Sequence, residues 1–146
     1  MRVSKDCLRE LTPERRPLVR KFYQAHRTHM RVPAGASCWV AGCSEIEAAL
    51  CLVPVENGHW LTGLLVAPAM RNRGLASRLI GYARARRDGP VWLFCDPVLA
   101  CFYLNLGFSE PVSLPDSLAD RLQRYNRNKR LIPLCHDNVR ATCPIS

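Results

Sequence analysis

Residues 71–76, which read R-N-R-G-L-A, have the types and spacing of an anion-binding turn. They follow the apolar run at 59–66 and lead into an apolar helical stripe. A helix that begins just after a strand and a short turn exposes free backbone N–H groups and the positive end of its dipole, and both attract phosphate. Gly74 lets a ligand approach the backbone, while Arg71 and Arg73 add charge that pairs with phosphate. The stretch predicts an anion site, and the alternative is a solvated basic helix.

Two common phosphate motifs are excluded at this turn. A Walker loop needs G-x-x-x-x-G-K-[ST], and a dinucleotide fingerprint needs G-x-G-x-x-G, and the stretch matches neither. The net charge of +9 fits an anionic ligand, a nucleic acid or an arginine-rich proteome. Charge alone does not choose among these partners.

The elements that must position this turn follow from hydrophobic periodicity and from the Pro and Gly residues that interrupt it. Strands alternate with helices after a three-strand meander, which indicates one α+β domain over residues 1–146 with a short carboxy-terminal tail. The predicted elements are a strand at 3–10, a helix opened by Thr12-Pro13, strands at 37–43 and 46–55, a hairpin turn at 56–58, a strand at 59–66, a helix at 74–87, a strand at 91–95, a short helix at 97–106, a basic helix at 115–129 and an edge strand at 131–135.

Composition is that of a globular chain, with 48% hydrophobic and 23% charged residues among 146. No apolar run has the length of a membrane span, and the first residues lack a signal-peptide pattern, so we expect a cytoplasmic protein without a membrane partner. Eight cysteines are present, but none forms a C-x-x-C pair, so no metal site is predicted. We expect all eight to be free thiols, most of them buried, in a reducing compartment.

A family resemblance adds to this reading. The segment "LTGLLVAPAMRNRGLASRLI" resembles the acetyl-CoA-binding motif of the GNAT superfamily of N-acetyltransferases, [QR]-x-x-G-x-[GA] after a strand that ends in V-x-P. Arg71, Gly74 and Ala76 occupy the three defined positions, and Val66 and Pro68 match the end of the strand.

A second segment resembles the same family at the expected distance. "DPVLACFYLNLGF", residues 96–108, is similar to NPxAxxFYxKxGF, although Asp96 stands where Asn is usual. The resemblance covers residues 37–108 well and the amino-terminal helix loosely.

The resemblance implies an α/β three-layer sandwich with helices on both faces of a mixed, mostly antiparallel sheet that is splayed between strands 62–66 and 91–95. It implies acetyl-CoA as co-substrate, with the pyrophosphate on the N–H groups of residues 71–76. Backbone groups near Leu64 and Val66 would bind the pantetheine arm and polarise the thioester carbonyl. The implied cofactor contacts are Leu64, Leu65, Val66, Arg71, Asn72, Arg73, Gly74, Leu75, Ala76 and Asp96.

The implied reaction is the direct attack of a primary amine, from a small molecule or a protein, on acetyl-CoA in a ternary complex. Tyr103 matches the position that protonates the leaving thiolate, and its other role is that of a packed helix aromatic. The general base stays open between a water chain and the side chains His59, Glu47 and Glu56. His26 and His29 are candidates for the acceptor side, although both also fit partly exposed helix histidines. Asp96 has a second role as the N-cap of the helix that follows it.

Two other function classes stay open. The strand at 59–66 contains no carboxylate, so the domain could bind acetyl-CoA as a sensor or interaction module with weak catalysis. A nucleic-acid-binding domain that uses the basic helices at 75–87 and 115–129 ranks last, because no nucleic-acid motif is present. A homodimer is common in the family and stays open here.

Overall fold

The fold comes from a computed structural model, which describes residues 6–137. Short 3₁₀ turns precede three of the helices, and each contains a proline at its start. The strands and helices are β1 Arg9–Glu10, α1 Pro17–Ala25, β2 Ser37–Ala41, β3 Ala48–Val55, β4 Gly58–Val66, α2 Leu75–Ala85, β5 Val91–Cys95, α3 Ala100–Leu104, α4 Asp116–Tyr125 and β6 Ile132–His136.

Six strands form one mixed sheet in the order β1-β2-β3-β4-β5-β6. The pairs β1–β2, β2–β3 and β5–β6 are antiparallel, and Pro133 of the edge strand β6 lies opposite Phe94. An edge position suits Pro133 because proline has no N–H to donate to a further strand. The predicted α+β class with a mixed sheet is confirmed.

The described residues form two compact units. The first unit contains residues 6–53 and 61–87, and the second contains residues 54–60 and 88–137. The tip of the β3–β4 hairpin therefore belongs to the second unit, and the rest of both strands to the first.

In the first unit, helices lie on both faces of the strands. Cys38 and Val40 of β2 share a core cluster with Val19 of α1. Trp39, between them in sequence, makes an edge contact with Tyr82 of α2, with ring centroids 6.0 Å apart. Since successive side chains of a strand point to opposite faces, α1 and α2 cover opposite sides of β2. The predicted layering holds in this unit.

In the second unit, β5 lies between α3 and α4 by the same alternation. Phe94 contacts Tyr125 of α4 edge to face at 6.2 Å, while the neighbouring Cys95 lies beside Tyr103 of α3. Trp60 completes the aromatic cluster on the α4 side, and the Arg121 guanidinium stacks over its ring at 4.6 Å. The basic helix α4 is thus fixed to the unit by aromatic packing.

Several predicted boundaries are wrong, each for a local reason. The first strand is reduced to Arg9–Glu10, and residues 3–5 of that prediction lie outside the described residues. The helix predicted at 115–129 ends at Tyr125, because the Asn126 side chain bonds both the N–H and the C=O of Leu131. After Phe108, Ser109 forms an isolated bridge with Cys135.

The hairpin turn is also shifted by one residue. Glu56 and Asn57 form it, with Glu56 at φ +40°, and Gly58 already belongs to β4. Gly58 is required there because an added Cβ would lie 2.2 Å from the Pro90 carbonyl oxygen.

The prediction that all cysteines are free thiols is wrong for two of them. Cys7 and Cys43 form a disulfide with a Cα–Cα distance of 5.2 Å. The two lie 36 residues apart, so their spacing carried no signal, and the tertiary fold brings them together. Among the other cysteines, Cys101 is exposed, the rest of the described ones are buried, and Cys143 lies outside the described residues.

Within residues 6–137, no helix is long and apolar enough to cross a membrane. The same residues contain no group of three or more side chains that could hold a metal ion.

Candidate active site

The turn between β4 and α2 is built from two left-handed residues. After the 3₁₀ turn Pro68–Met70, Asn72 has φ +65° and Gly74 has φ +76°, and α2 begins at Leu75. Asn and Gly are the residues that adopt this conformation at least cost. Within the described part of the chain, no group accepts a hydrogen bond from the N–H of residues 72–74. The next N–H groups belong to the first helical turn, where they have no intrahelical acceptor.

Two arginine side chains bond the carbonyl groups around this turn. Arg71 donates from Nε to the Val66 carbonyl at 3.0 Å, and Arg78 donates from Nη1 to the Arg73 carbonyl at 2.8 Å. Arg78 also forms an ion pair with Asp6, which raises the pKa of its guanidinium. Arg71 and Arg78 bond the carbonyl groups of Val66 and Arg73. The N–H groups of this exposed turn therefore remain available to an anion. The turn therefore has the N–H groups that an anion site requires.

Glycine is favoured at position 74 by its backbone conformation, and a side chain there would also displace the end of the Arg78 side chain. Gly74 has φ +76°, and an added Cβ would lie 2.9 Å from Nη1 of Arg78. A side chain there would press on the guanidinium that holds the Arg73 carbonyl. The sequence argument about close ligand approach identified the residue but not these two reasons.

The strand that leads to the turn has one break in its extended backbone conformation, at Gly63. This residue has φ +70°, and its carbonyl oxygen accepts a hydrogen bond of 2.6 Å from the Tyr23 hydroxyl of α1. The residues that follow, 64–66, are half-buried. A glycine inside a strand signals a bulge or a close approach, but the sequence does not show that Tyr23 is the partner of Gly63.

Tyr103 is buried, with 7% of its surface exposed, and its ring contacts Phe102 and Phe108 edge to face. Burial, with a smaller contribution from Cys95, raises the pKa of its hydroxyl to about 12. Inside residues 6–137, no group forms a hydrogen bond with this hydroxyl. Tyr103 is therefore a protonated donor at neutral pH whose hydrogen is not committed to another described residue.

Asp96 forms the N-cap of the 3₁₀ turn before α3. Its Oδ1 accepts from the Val98 N–H at 2.9 Å, which is the capping role foreseen for it. The candidate bases are spread along the chain: Glu56 is exposed in the hairpin turn, and the backbone N–H of the half-buried His59 bonds Pro90.

The other candidates lie in the first unit. Glu47 uses its backbone to bond Ala41 and Ala67. His26 stacks edge to face on Phe22, and His29 is exposed. None of these contacts identifies a catalytic base or a residue of the acceptor side.

Comparison with known proteins adds the family. The family model described as acetyltransferase (GNAT) domain matches residues 34–110, which is more than half of the chain. Comparison with curated proteins finds no match.

Solved structures share the fold at low sequence identity. Ribosomal-protein-S18-alanine N-acetyltransferase from Escherichia coli is 14% identical, with a TM-score of 0.68 over 97% of this chain and 99% of that one. N-acetylglutamate synthase from Neisseria gonorrhoeae, solved with coenzyme A and N-acetyl-glutamate, is 14% identical, with a TM-score of 0.67 over 95% of this chain. The chain spans only 36% of that synthase. A putative N-acetyltransferase from Lactobacillus plantarum is 13% identical, with a TM-score of 0.67, over 90% of this chain and 99% of that one.

The chain belongs to the GNAT acetyltransferases, a family of enzymes whose co-substrate is acetyl-CoA. The two segments that resembled the family motifs both fall inside the matched region.

Proposed function

We propose that the protein moves the acetyl group of acetyl-CoA to a primary amine of a small molecule or a protein, by direct attack in a ternary complex. The observation that carries this proposal is the turn at 71–76, with its left-handed Asn72 and Gly74 and the N–H groups of residues 72–74, for which residues 6–137 provide no acceptor. We take residues 1–146 as a single N-acetyltransferase domain. We also propose a cytoplasmic location, which the buried free thiols support and the Cys7–Cys43 disulfide does not.

Acetyl-CoA supplies an activated acetyl group as a thioester. In the proposal, the N–H groups of residues 71–76 and the charges of Arg71 and Arg73 hold its pyrophosphate. Backbone groups of Leu64, Leu65 and Val66 orient the arm that carries the thioester. Leu75 is buried and anchors the start of α2, and Ala76 leaves its first turn uncrowded.

Tyr103 is the proposed general acid for the sulfur of the leaving group. A hydroxyl with a pKa of about 12 stays protonated at neutral pH and can give its proton to a thiolate as that charge develops. The attacking amine must be neutral, and either water or a side chain takes its proton.

The acceptor is proposed only as a class. One similar structure is named for its product, N-acetylglutamate, and another for an alanine of a ribosomal protein. Neither name is transferred to this chain. Asp96 remains a proposed cofactor contact beside its capping role.

Thermal unfolding with and without ligand tests the proposal. Acetyl-CoA at 100 times its Kd stabilises a folded protein by about 2.7 kcal/mol, so Tm should rise, whereas free acetate should leave it unchanged. A panel of primary amines should then release free thiol above the rate without acceptor. An unchanged Tm at saturating acetyl-CoA contradicts the cofactor assignment, and a shifted Tm without thiol release contradicts the catalytic one.

A further inference from the structure

The hydroxyl of Tyr23 is buried at the break in β4, and the proposed reaction gives it no role. Only 1% of Tyr23 is exposed, and its hydroxyl lies 2.6 Å from the Gly63 carbonyl oxygen. An added Cβ on Gly63 would lie 2.5 Å from the same hydroxyl oxygen. Glycine at φ +70° and tyrosine on α1 therefore fit each other at this point.

The direction of each hydrogen bond around Tyr23 follows from its donors. The Gly63 carbonyl has no hydrogen, so the Tyr23 hydroxyl donates to it. That hydroxyl has no second hydrogen, so the Cys51 thiol at 3.6 Å donates to the tyrosine oxygen. The Cys38 sulfur lies 4.0 Å from the Cys51 sulfur. The chain Cys51–Tyr23 ends on the Gly63 peptide and has one orientation.

Burial keeps the Tyr23 hydroxyl protonated. It raises the pKa of Tyr23 far above its ordinary value, with smaller contributions from Cys51. The hydrogen bond with Cys38, together with burial, raises the pKa of Cys51 as well. The tyrosine is thus a permanent donor over the working range of pH.

Holding the Gly63 carbonyl fixes the next amide group. The described residues contain no cis peptide, so the Gly63 C=O and the Leu64 N–H of the same planar peptide point in opposite directions. With the carbonyl bound to Tyr23, the Leu64 N–H points away from α1. Leu64 belongs to the backbone that is proposed to polarise the thioester carbonyl.

We infer that Tyr23 is a positioning residue, whose hydrogen bond to Gly63 aims the Leu64 N–H at the acetyl group of acetyl-CoA. The inference rests on the proposed function, because it needs a thioester at β4. It assigns Tyr23 no contact with the substrate. The hydrogen bond of Tyr23 should affect the reaction at the thioester carbonyl and leave the binding of the pyrophosphate unchanged.

Kinetics of Tyr23→Phe give the first test. The substitution keeps the ring and removes the hydroxyl, so kcat should fall about tenfold, less than for the outright loss of an oxyanion donor. The Kd of CoA, which lacks the acetyl group, should stay within about twofold because the pyrophosphate turn is untouched. Tyr82→Phe is the matched control, since no group of the described chain bonds its hydroxyl, and its kcat should equal that of the wild type.

The Leu64 amide gives a readout that needs no turnover. In ligand-free Tyr23→Phe, its ¹H–¹⁵N resonance should shift or broaden as the peptide loses its single orientation, whereas Tyr82→Phe should leave it in place. If Tyr23→Phe does not fold, titration of the wild type decides. Acetyl-CoA should move the Leu64 amide and the Tyr23 hydroxyl proton together and further than CoA does, because both bonds polarise one peptide.

The outcomes separate the inference from the proposed function. A wild type without acetyl transfer to any amine contradicts the proposed function. Normal kcat and an unmoved Leu64 resonance in Tyr23→Phe overturn the inference alone. A lower Tm with normal kcat reduces Tyr23 to a structural residue, and so does a Leu64 amide that moves without the Tyr23 hydroxyl proton.

Discussion

At the residue scale, two glycines near one helix have different importance. Gly74 adopts a left-handed φ beside Arg78, whereas Gly81 lies inside α2 with nothing within 4 Å of an added Cβ. The sequence shows both glycines in the same basic stretch and does not rank them. Only the conformation at each position distinguishes a required glycine from a replaceable one.

Alanine should therefore weaken CoA binding at position 74 and stabilise the folded protein at position 81. Gly74→Ala forces a left-handed alanine, which costs roughly 1–2 kcal/mol, and it displaces Arg78, so CoA affinity should fall about tenfold. Gly81→Ala should raise the free energy of unfolding by about 0.5–1 kcal/mol and leave CoA affinity unchanged. Calorimetric titration measures the CoA affinity of both variants. Equal affinities would argue against binding of the pyrophosphate at this turn.

Tyr103 gives a second prediction at this scale. As a general acid it contributes about 10²–10⁴-fold, so Tyr103→Phe should lower turnover by about 100-fold and keep acetyl-CoA affinity within about threefold. Tyr82→Phe serves again as the control. Turnover at the wild-type level would return Tyr103 to the role of a packed aromatic.

The raised pKa of Tyr103 also predicts how stability depends on pH. The Tyr103 hydroxyl has its ordinary pKa of 10.0 in the unfolded chain and a pKa of about 12 in the folded one, so between these values the folded state binds more protons. The contribution is complete below pH 10 and is lost as pH rises towards 12. At pH 11, chemical denaturation should show that Tyr103→Phe has lost about 1 kcal/mol less of its free energy of unfolding than the wild type. A variant with the same alkaline loss as the wild type would contradict this assignment.

At the scale of elements, the disulfide fixes the segment before β1 to the turn after β2. Arg9 bonds the carbonyls of Cys7 and Gly42, and the Gly42 N–H bonds the Asp6 carbonyl. Through the ion pair of Asp6 with Arg78, the same segment reaches the arginine that holds the Arg73 carbonyl. An element far away in sequence thus supports the pyrophosphate turn.

Removal of the disulfide should destabilise the protein. Replacement of Cys7 and Cys43 by serine should lower the free energy of unfolding by about 2–4 kcal/mol, since the bond closes a loop of 36 residues. Reductant should lower Tm of the wild type and have no further effect on the variant. Cys101→Ser, at an exposed free thiol, is the control and should unfold like the wild type.

At the scale of the whole molecule, the net charge of +9 acts on any anionic substrate. The exposed arginines of the turn share this field with many others, among them Arg121 and Arg124 of α4. Such a field attracts phosphates over distances of about one Debye length, roughly 10 Å at 0.1 M salt.

Salt should therefore separate the phosphates of CoA from its neutral arm. Between 0.05 and 0.5 M NaCl, the Kd of CoA should rise several-fold, because screening weakens every exposed contact with its phosphates. The Kd of pantetheine, which has no phosphate, should hardly change. A CoA affinity that does not depend on salt would exclude the arginines as a major source of binding.

The sequence by itself determined the elements and the family motifs, because both are written in short-range patterns. Apolar periods and prolines placed β5 and β6 within a residue of their ends, and residues 71–76 and 96–108 carried the resemblance. Only the tertiary structure decided which distant groups meet: Tyr23 with Gly63, and Cys7 with Cys43. Such pairs depend on how helices and strands pack, and no local period encodes that packing. The break in β4 shows the difference, since its glycine is visible in the sequence and the tyrosine that holds it is not.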